Sequence, residues 1–365
     1  MPEKEILVKT GNFPYRVLIE KDALSVLGKS MRLLFPSDRT LLVSDRNVYN
    51  FYGEQVLKTL KNENWQVVNH IIRPGESSKT LSLASRIYDA AVNAELDRNS
   101  PVIALGGGVV GDLGGFVAAT YLRGVPLVMV PTSLLAQVDS SIGGKVAVNH
   151  PRGKNLIGSI YPPRLVVIDP HVLETLPPRH LKAGMVEIIK YGIIEDAVFF
   201  HWLEENLDLI LKGQSQLIVN AIACSIQSKA RVVEADEYEK DYRRILNFGH
   251  TIGHALEAAT GYRHYLHGEA ILVGMHAALD ISTSMKVIKP AVAGRIKKLL
   301  SKINLKKAPT DLTVKKVIDK LRQDKKRLGS EIIFVLPDQV GSAIIMPVSD
   351  ENLLETVLKQ YLNTQ

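Results

Sequence analysis

The sequence predicts an α/β amino-terminal domain built on a mostly parallel sheet, followed by an all-α carboxy-terminal domain. Three observations carry this. Up to about residue 170, short β-branched runs alternate with helical periods, the pattern of strands crossed over by helices. From His180 to Arg327, helical periods follow one another with almost no strand signal. The chain is also 365 residues long, more than a single hydrophobic core of about 250 to 300 residues fills. The boundary is expected near Pro170, giving domains 1–170 and 171–365, just before the consecutive prolines Pro177 and Pro178.

In chain order, strands are expected at "RVLIE" (16–20), "TLLVSD" (40–45), "WQVVNHIIR" (65–73), "PVIALGGG" (101–108), "PLVMVPTS" (126–133) and "LVVID" (165–169). A helix is expected across Ser78 to Leu96, where Leu81, Ala84, Ile87, Tyr88 and Ala91 share one face. Parallel strands of this kind present ligands at their carboxyl ends. Near the end of the chain, "EIIFVLP" and "GSAIIMPV" read as a hairpin turning between Pro337 and Gly341.

Composition removes several function classes. The net charge of +7 suggests nucleic acid until it is located: Lys286 to Arg327 holds 15 Lys and Arg against 3 Asp, so the rest of the chain is net negative. Those cations recur through apolar-periodic helices and no aromatics interleave with them, so they read as solvated faces rather than a nucleic-acid surface. The opening "MPEKEILVKTG" lacks a basic start and continuous apolar run, and "GVPLVMVPTSLLAQV" is too short and proline-broken to span a bilayer. No membrane association and a cytoplasmic location are therefore expected. With a single cysteine, Cys224, any metal must be held by histidine and carboxylate.

"LGGGVVGDLGGF" follows a buried strand and contains G-x-G-x-x-G as Gly106, Gly108 and Gly111, with a helix expected to open at Gly111 or Asp112. Glycines let backbone N–H groups and the helix dipole meet a pyrophosphate, which makes a Rossmann-like dinucleotide site plausible. The acidic residue that usually follows about 20 positions later is missing, since Leu113 to Val138 contains no Asp or Glu. Substitutes stand at other strand ends: Asp45 with Asn47, and Glu76 with Lys79. The segment "VDSSIGGKVAVNHPRGKNLIGSIYPP" is too rich in Gly, Ser, Pro and Asn to predict regular structure, and it carries Lys145, Arg152 and Lys154. With Arg123 before the next strand, it suits an anionic substrate.

"NFGHTIGHALEAATGYRHYLHGEA" gathers four of the chain's ten histidines and two glutamates within 24 residues. His250, His254 and Glu257 fall at i, i+4 and i+7, on one helix face, with Asn247 as the expected N-cap and Gly261 as the residue past the end. His264 and His267 follow, before a helix expected near Gly268. Upstream, "AGMVEIIKYG" offers Glu187 and Lys190. A catalytic metal needs about three protein ligands and an open position. Spacing alone leaves Glu187, His250, His254, Glu257, His264, His267 and Glu269 all as candidates.

Five blocks, "GGGVVGDLGGFVAATYLRG", "PTSLLAQVDSSIGGKVAVNHPRGKN", "GMVEIIKYG", "ILNFGHTIGHALEAATGYRHYLHGEA" and "QDKKRLGSEIIFVLP", closely resemble the 3-dehydroquinate synthase family in order and spacing. The resemblance implies an NAD-binding α/β domain, a helical metal-binding domain, a homodimer, and a divalent zinc or cobalt ion on Glu187, His250 and His267. It implies substrate contacts at Arg123, Asp139, Lys145, Asn155, Lys190, Lys229, Arg243, Asn247 and Lys325, with Arg244 and Lys326 as one-residue alternatives, and leaves His254 facing the substrate. Nucleotide contacts are implied at Asp45, Glu76, Lys79, Gly107, Gly108, Asp112, Thr132, Lys154 and Thr175, and Asn47 is added to them from its place beside Asp45. The reaction implied converts a phosphorylated seven-carbon sugar acid, 3-deoxy-D-arabino-heptulosonate 7-phosphate, to 3-dehydroquinate and phosphate. Alternatives are another sugar phosphate cyclase or a metal-dependent NAD alcohol dehydrogenase of the glycerol dehydrogenase type.

Overall fold

The computed structural model describes residues 4–10, 13–328 and 331–362, with the side chains of residues 324–328 outside the description. It divides into two compact units: Met1–Pro177 with Lys229–Tyr238, and Pro178–Ser228 with Glu239–Gln365.

The first unit contains strands β1 (Lys4–Val8), β2 (Tyr15–Ile19), β3 (Arg39–Asp45), β4 (Gln66–Ile72), β5 (Val102–Gly106), β6 (Leu127–Pro131), β7 (Lys145–His150), β8 (Gly153–Ile160) and β9 (Leu165–Ile168). Its helices are α1 (Leu27–Arg32), α2 (Arg46–Asn62), α3 (Leu81–Asn93) and α4 (Gly108–Thr120). Seven strands form one sheet in the order β1-β2-β9-β6-β5-β3-β4, and only the β1–β2 pair is antiparallel. β5, β6 and β9 are buried throughout, as expected of apolar runs covered on both faces. On one face Ile103, Leu105, Val128, Val130, Leu165 and Val167 pack with Leu27, Met31, Val56 and Leu60 of α1 and α2. On the other, α4 packs against β5, β6 and β7.

All six expected strands form. β1 is an addition: Ile6 and Val8 are buried while Glu5 and Leu7 are exposed, so this edge strand is covered on one side only. Two local expectations are corrected. α4 begins at Gly108 rather than at Gly111 or Asp112, because the Gly111 N–H already donates to the Gly107 carbonyl at 3.0 Å. The segment after Asp139, expected to be irregular, forms the antiparallel β7–β8 hairpin, with a bulge between Val148 and His150. Its Gly and Asn residues serve the turns and bulge while Val146, Ala147 and Val148 are buried.

The second unit contains α5 (Pro178–Ile194), α6 (Ala197–Leu211), the first part of α7 (Ser215–Ala235), α8 (His250–Ala259), α9 (His267–Ser284), α10 (Pro290–Leu300), α11 (Val314–Leu328), the hairpin β10 (Ile333–Gln339) and β11 (Ser342–Pro347), and α12 (Glu351–Leu362). α9 is its central helix, buried along most of its length and packed by α5, α8, α10, α12 and β10. The hairpin expected from the sequence forms, and the helical character of the remainder holds.

Two close approaches bring α9 against its neighbours. A Cβ at Gly274 would stand 1.9 Å from the Gly249 carbonyl oxygen, and one at Gly268 would stand 2.0 Å from that of Ala183. Only hydrogen side chains permit backbones this close. The consequence is that the start of α8 lies against the middle of α9, and the start of α9 lies against α5 at Ala183.

Candidate functional site

In the first unit, the residues assigned to a nucleotide stand largely at the carboxyl ends of strands. Asp45 ends β3 and caps α2, its Oδ1 accepting from the N–H of Asn47 at 2.9 Å and of Val48 at 3.2 Å. Gly107 is the N-cap and Gly108 the first residue of α4, so the free N–H groups of that helix open beside the glycines. Thr132 follows β6, is buried, and donates its N–H to the Gly106 carbonyl at 3.0 Å. The Thr175 hydroxyl lies 2.6 Å from that of Tyr52.

A polar lattice joins the rest. Buried Lys79 donates from Nζ to Asp112 Oδ2 and to Asn155 Oδ1. Asn149, which the sequence reading did not select, donates from Nδ2 to Glu76 Oε1 at 2.7 Å and accepts from the Asn155 N–H at 2.9 Å. Its own N–H donates to the Lys79 carbonyl at 2.8 Å. Asn155 takes φ 56°, a left-handed conformation asparagine tolerates. Glu76, Lys79 and Asp112 are therefore joined in one connected group through Asn149 and Asn155 of the β7–β8 hairpin. Only the hairpin register could have revealed Asn149, and the sequence did not disclose that register.

Asp139 lies on a π-helical turn (Ala136–Ser140), where its Oδ1 and its carbonyl each accept from Lys229 Nζ at 2.6 Å. Lys145 starts β7 and is exposed, and Lys154 lies on β8. Arg123 is exposed, and it follows Leu122 with φ 66° after φ 48°. Two consecutive left-handed residues other than glycine cost on the order of 1–3 kcal/mol each, strain of a kind that clusters at binding sites.

In the second unit, Glu187 and Lys190 lie on the buried face of α5. His250 is the first residue of α8 and His267 the first of α9. His250 Nε2 is 3.9 Å and His267 Nε2 3.6 Å from Glu187 Oε1. Each imidazole is turned this way by a partner at its other nitrogen. His250 Nδ1 lies 3.1 Å from the Phe248 carbonyl, and His267 Nδ1 lies 3.2 Å from Glu257 Oε2. Arg243 is buried on the short 3-10 helix Tyr242–Asn247. Asn247 ends that helix, so it does not cap α8; Gly249, with φ 78°, occupies the cap position, and Asn247 Nδ2 instead donates to Glu239 Oε1 at 3.0 Å. His254 is exposed one turn beyond His250, its ring 5.3 Å from that of His250 and 5.8 Å from that of His267. The side chain of Lys325, like that of Lys326, lies outside the described residues.

These residues fit a divalent metal. Tetrahedral bonds of about 2.0–2.1 Å place ligand atoms about 3.4 Å apart, close to the separations found. Burial, then the neighbouring Lys190 and the other two imidazoles, hold His250 well below its ordinary pKa, hence as the neutral imidazole that binds metal. Glu187 is fully buried, and among the described residues neither of its oxygens accepts a hydrogen bond, although Lys190 Nζ stands at ion-pair distance, 2.5 Å, from Oε2. Lys190 thus meets Oε2, and Oε1, buried and facing the two imidazoles, is the oxygen left for a second cation. Two of the seven candidates left open by spacing are engaged elsewhere. Glu269 is clasped by Arg179 at 2.6 and 2.7 Å and accepts from the Leu266 N–H, and His264 Nε2 contacts the Lys307 carbonyl.

Comparison with known proteins agrees. Residues 69–183 match the model of the 3-dehydroquinate synthase N-terminal domain, and residues 184–327 that of its C-terminal domain. The 3-dehydroquinate synthase of Desulforamulus reducens is 46% identical over 356 residues, covering 97% of this chain and 99% of that protein. Among solved structures, a 2-deoxy-scyllo-inosose synthase complexed with carbaglucose-6-phosphate, NAD+ and Co2+ superposes with a TM-score of 0.89 at 28% identity, covering 98% of this chain and 100% of its own. A 2-epi-5-epi-valiolone synthase from Streptomyces hygroscopicus subsp. jinggangensis 5008, with NAD+ and Zn2+ bound, gives 0.88 at 27%, covering 97% and 98%. All three match almost end to end, but the synthase of D. reducens does so at 46% identity against 28% and 27%, and with both domain models satisfied this chain belongs to the 3-dehydroquinate synthase family.

Proposed function

We propose that this chain is a 3-dehydroquinate synthase, a phosphate-eliminating lyase that cyclises 3-deoxy-D-arabino-heptulosonate 7-phosphate to 3-dehydroquinate in aromatic amino-acid biosynthesis. The observation that carries the reading is the convergence of Glu187 Oε1 with the Nε2 atoms of His250 and His267 in a chain of this family. These three residues hold zinc or cobalt. When bound, the ion polarises a substrate hydroxyl as a Lewis acid, and NAD takes up and returns hydride within one turnover.

The chain's own residues do the remainder. The substrate carries a phosphate and a carboxylate, so it needs several cations, and Arg123, Lys145, Lys190, Lys229, Arg243 and Lys325 supply them. Asp139, Asn155 and Asn247 orient its hydroxyls by hydrogen bonds. His254, exposed beside the two histidine ligands, moves a proton at the reacting hydroxyl. Phosphate held next to the carbon that loses a proton can accept that proton itself, so no separate base is needed. For the nucleotide, Gly107 and Gly108 bring backbone N–H groups to the pyrophosphate. Asp45, Asn47, Glu76, Lys79, Asp112, Thr132, Lys154 and Thr175 hold the rest.

The reading includes a homodimer in the cytoplasm; a single cysteine suits a reducing compartment, and no described helix is long and apolar enough to cross a membrane. Incubation with the heptulosonate phosphate, NAD and zinc is expected to release phosphate and dehydroquinate in equal amounts without net NADH. Net NADH would instead indicate an alcohol dehydrogenase, and turnover of a hexose phosphate lacking the carboxylate would indicate another cyclase.

A further inference from the structure

Glu257 lies at i+7 from His250 on α8, is buried at 6% exposure, and directs Oε2 to within 3.2 Å of His267 Nδ1. His250 has the equivalent anchor in the Phe248 carbonyl. We infer that Glu257 is a positioning residue for the divalent ion, holding His267 in the tautomer and ring orientation that present Nε2 to Glu187. The inference rests on the metal reading above and adds a residue to it.

The physical need is specific. His267 opens α9, so no preceding helical turn confines its ring, and its side chain is 28% exposed. A ring free to rotate offers either nitrogen to an ion and loses conformational entropy when it binds. A buried carboxylate at Nδ1 removes that freedom in advance, fixes the proton on Nδ1 and increases the donor strength of Nε2. The same feature explains an ambiguity in the cluster. His254, Glu257 and His267 also bring donor atoms within 4.8 Å of one another, a second arrangement that could hold an ion. A proton shared between Glu257 and His267 Nδ1 occupies that position and leaves one ion site rather than two.

The test uses the full chain stripped of metal and titrated with Co2+ against a competing chelator, with the visible cobalt spectrum recorded. Wild-type protein is expected to bind one Co2+ per chain. Glu257→Ala should weaken Co2+ binding about 10- to 100-fold and alter the spectrum. Glu257→Gln, whose amide oxygen still accepts from Nδ1, should recover most of the affinity. A purely structural role would instead lower stability in both variants and leave the affinity and spectrum alone. Should Glu257→Ala not fold, Glu257→Met fills a similar volume without an acceptor and is expected to show the same loss. Wild-type affinity and spectrum in a folded Glu257→Ala or Glu257→Met protein overturn the inference. So does a second Co2+ in the wild type that disappears in these variants, because Glu257 would then be a ligand. If Glu187→Ala and His250→Ala also bind Co2+ normally, it is the metal reading itself that fails.

Discussion

His250 and His276 show how one residue type serves two ends according to its partners. His250 is buried beside Glu187, and His250→Ala is expected to lose bound metal and activity while its far-ultraviolet circular dichroism stays native. Full metal content in that variant would contradict the ligand assignment. His276 on α9 is buried against the Tyr361 ring, its Nε2 without a hydrogen-bond partner among the described residues. Burial, reinforced by Lys297 of α10 and opposed by Asp280, takes its pKa from the usual 6.5 down to about 4. The unfolded chain therefore binds a proton near pH 6.5 that the folded chain refuses until about pH 4. Stability from this group is complete above pH 6.5 and declines as the pH falls toward 4, by about 3 kcal/mol in all. Urea denaturation at pH 7, 5.5 and 4.5 is expected to give a shallower decline for His276→Leu than for wild type; equal slopes would refute the assignment.

At the scale of elements, the metal cluster depends on how near α9 comes to α5 and α8. Gly274→Ala drives a methyl into the Gly249 carbonyl and forces the start of α8 away. Overpacking of this kind costs about 1–3 kcal/mol, and the separation of His250 from His267 should abolish Co2+ binding. Gly294→Ala in α10 is the control, since nothing among the described residues lies within 4 Å of the added Cβ. It should stabilise by about 0.5–1 kcal/mol through helix propensity and leave Co2+ binding unaltered. In the first unit, Asn149 braces the β7–β8 hairpin to Glu76. Asn149→Ala removes two hydrogen bonds worth about 1 kcal/mol each, so the thermal midpoint should fall by about 4–8 °C and calorimetry should find NAD bound about 10-fold more weakly.

For the molecule as a whole, the concentrated positive charge is offset in part by local pairing. Arg295 pairs with Glu204, Lys297 with Asp280, Lys302 with Asp208 and Arg322 with Glu351. Exposed pairs contribute little stability each, roughly 0–1 kcal/mol, but they neutralise cations that would otherwise attract polyanions. Duplex DNA is accordingly expected to show no retardation with the protein at about 0.15 M salt, where phosphate contacts alone are already weak. NAD, in contrast, should raise the thermal midpoint, since ligand at 100 times its Kd adds about 2.7 kcal/mol to stability. An unchanged midpoint at saturating NAD would contradict nucleotide binding by the folded chain.

The residues alone were enough for the alternation of strands and helices, the buried parallel strands and the late hairpin, because period and apolar content are local properties. They also placed His250, His254 and Glu257 on one face, which needs only the helical repeat. They could not decide that Asn247 leaves the cap of α8 to Gly249, or that a segment rich in Gly and Asn folds as β7–β8, since both outcomes depend on partners distant in sequence. Nor could they choose among seven possible metal ligands. Glu187 is remote in the chain from His250 and His267, and the choice turns on which imidazole nitrogen faces it. In the proposed site that orientation comes from Phe248 and Glu257, which stand at the other nitrogens of His250 and His267 once packing across Gly249, Gly268 and Gly274 has brought three helices together.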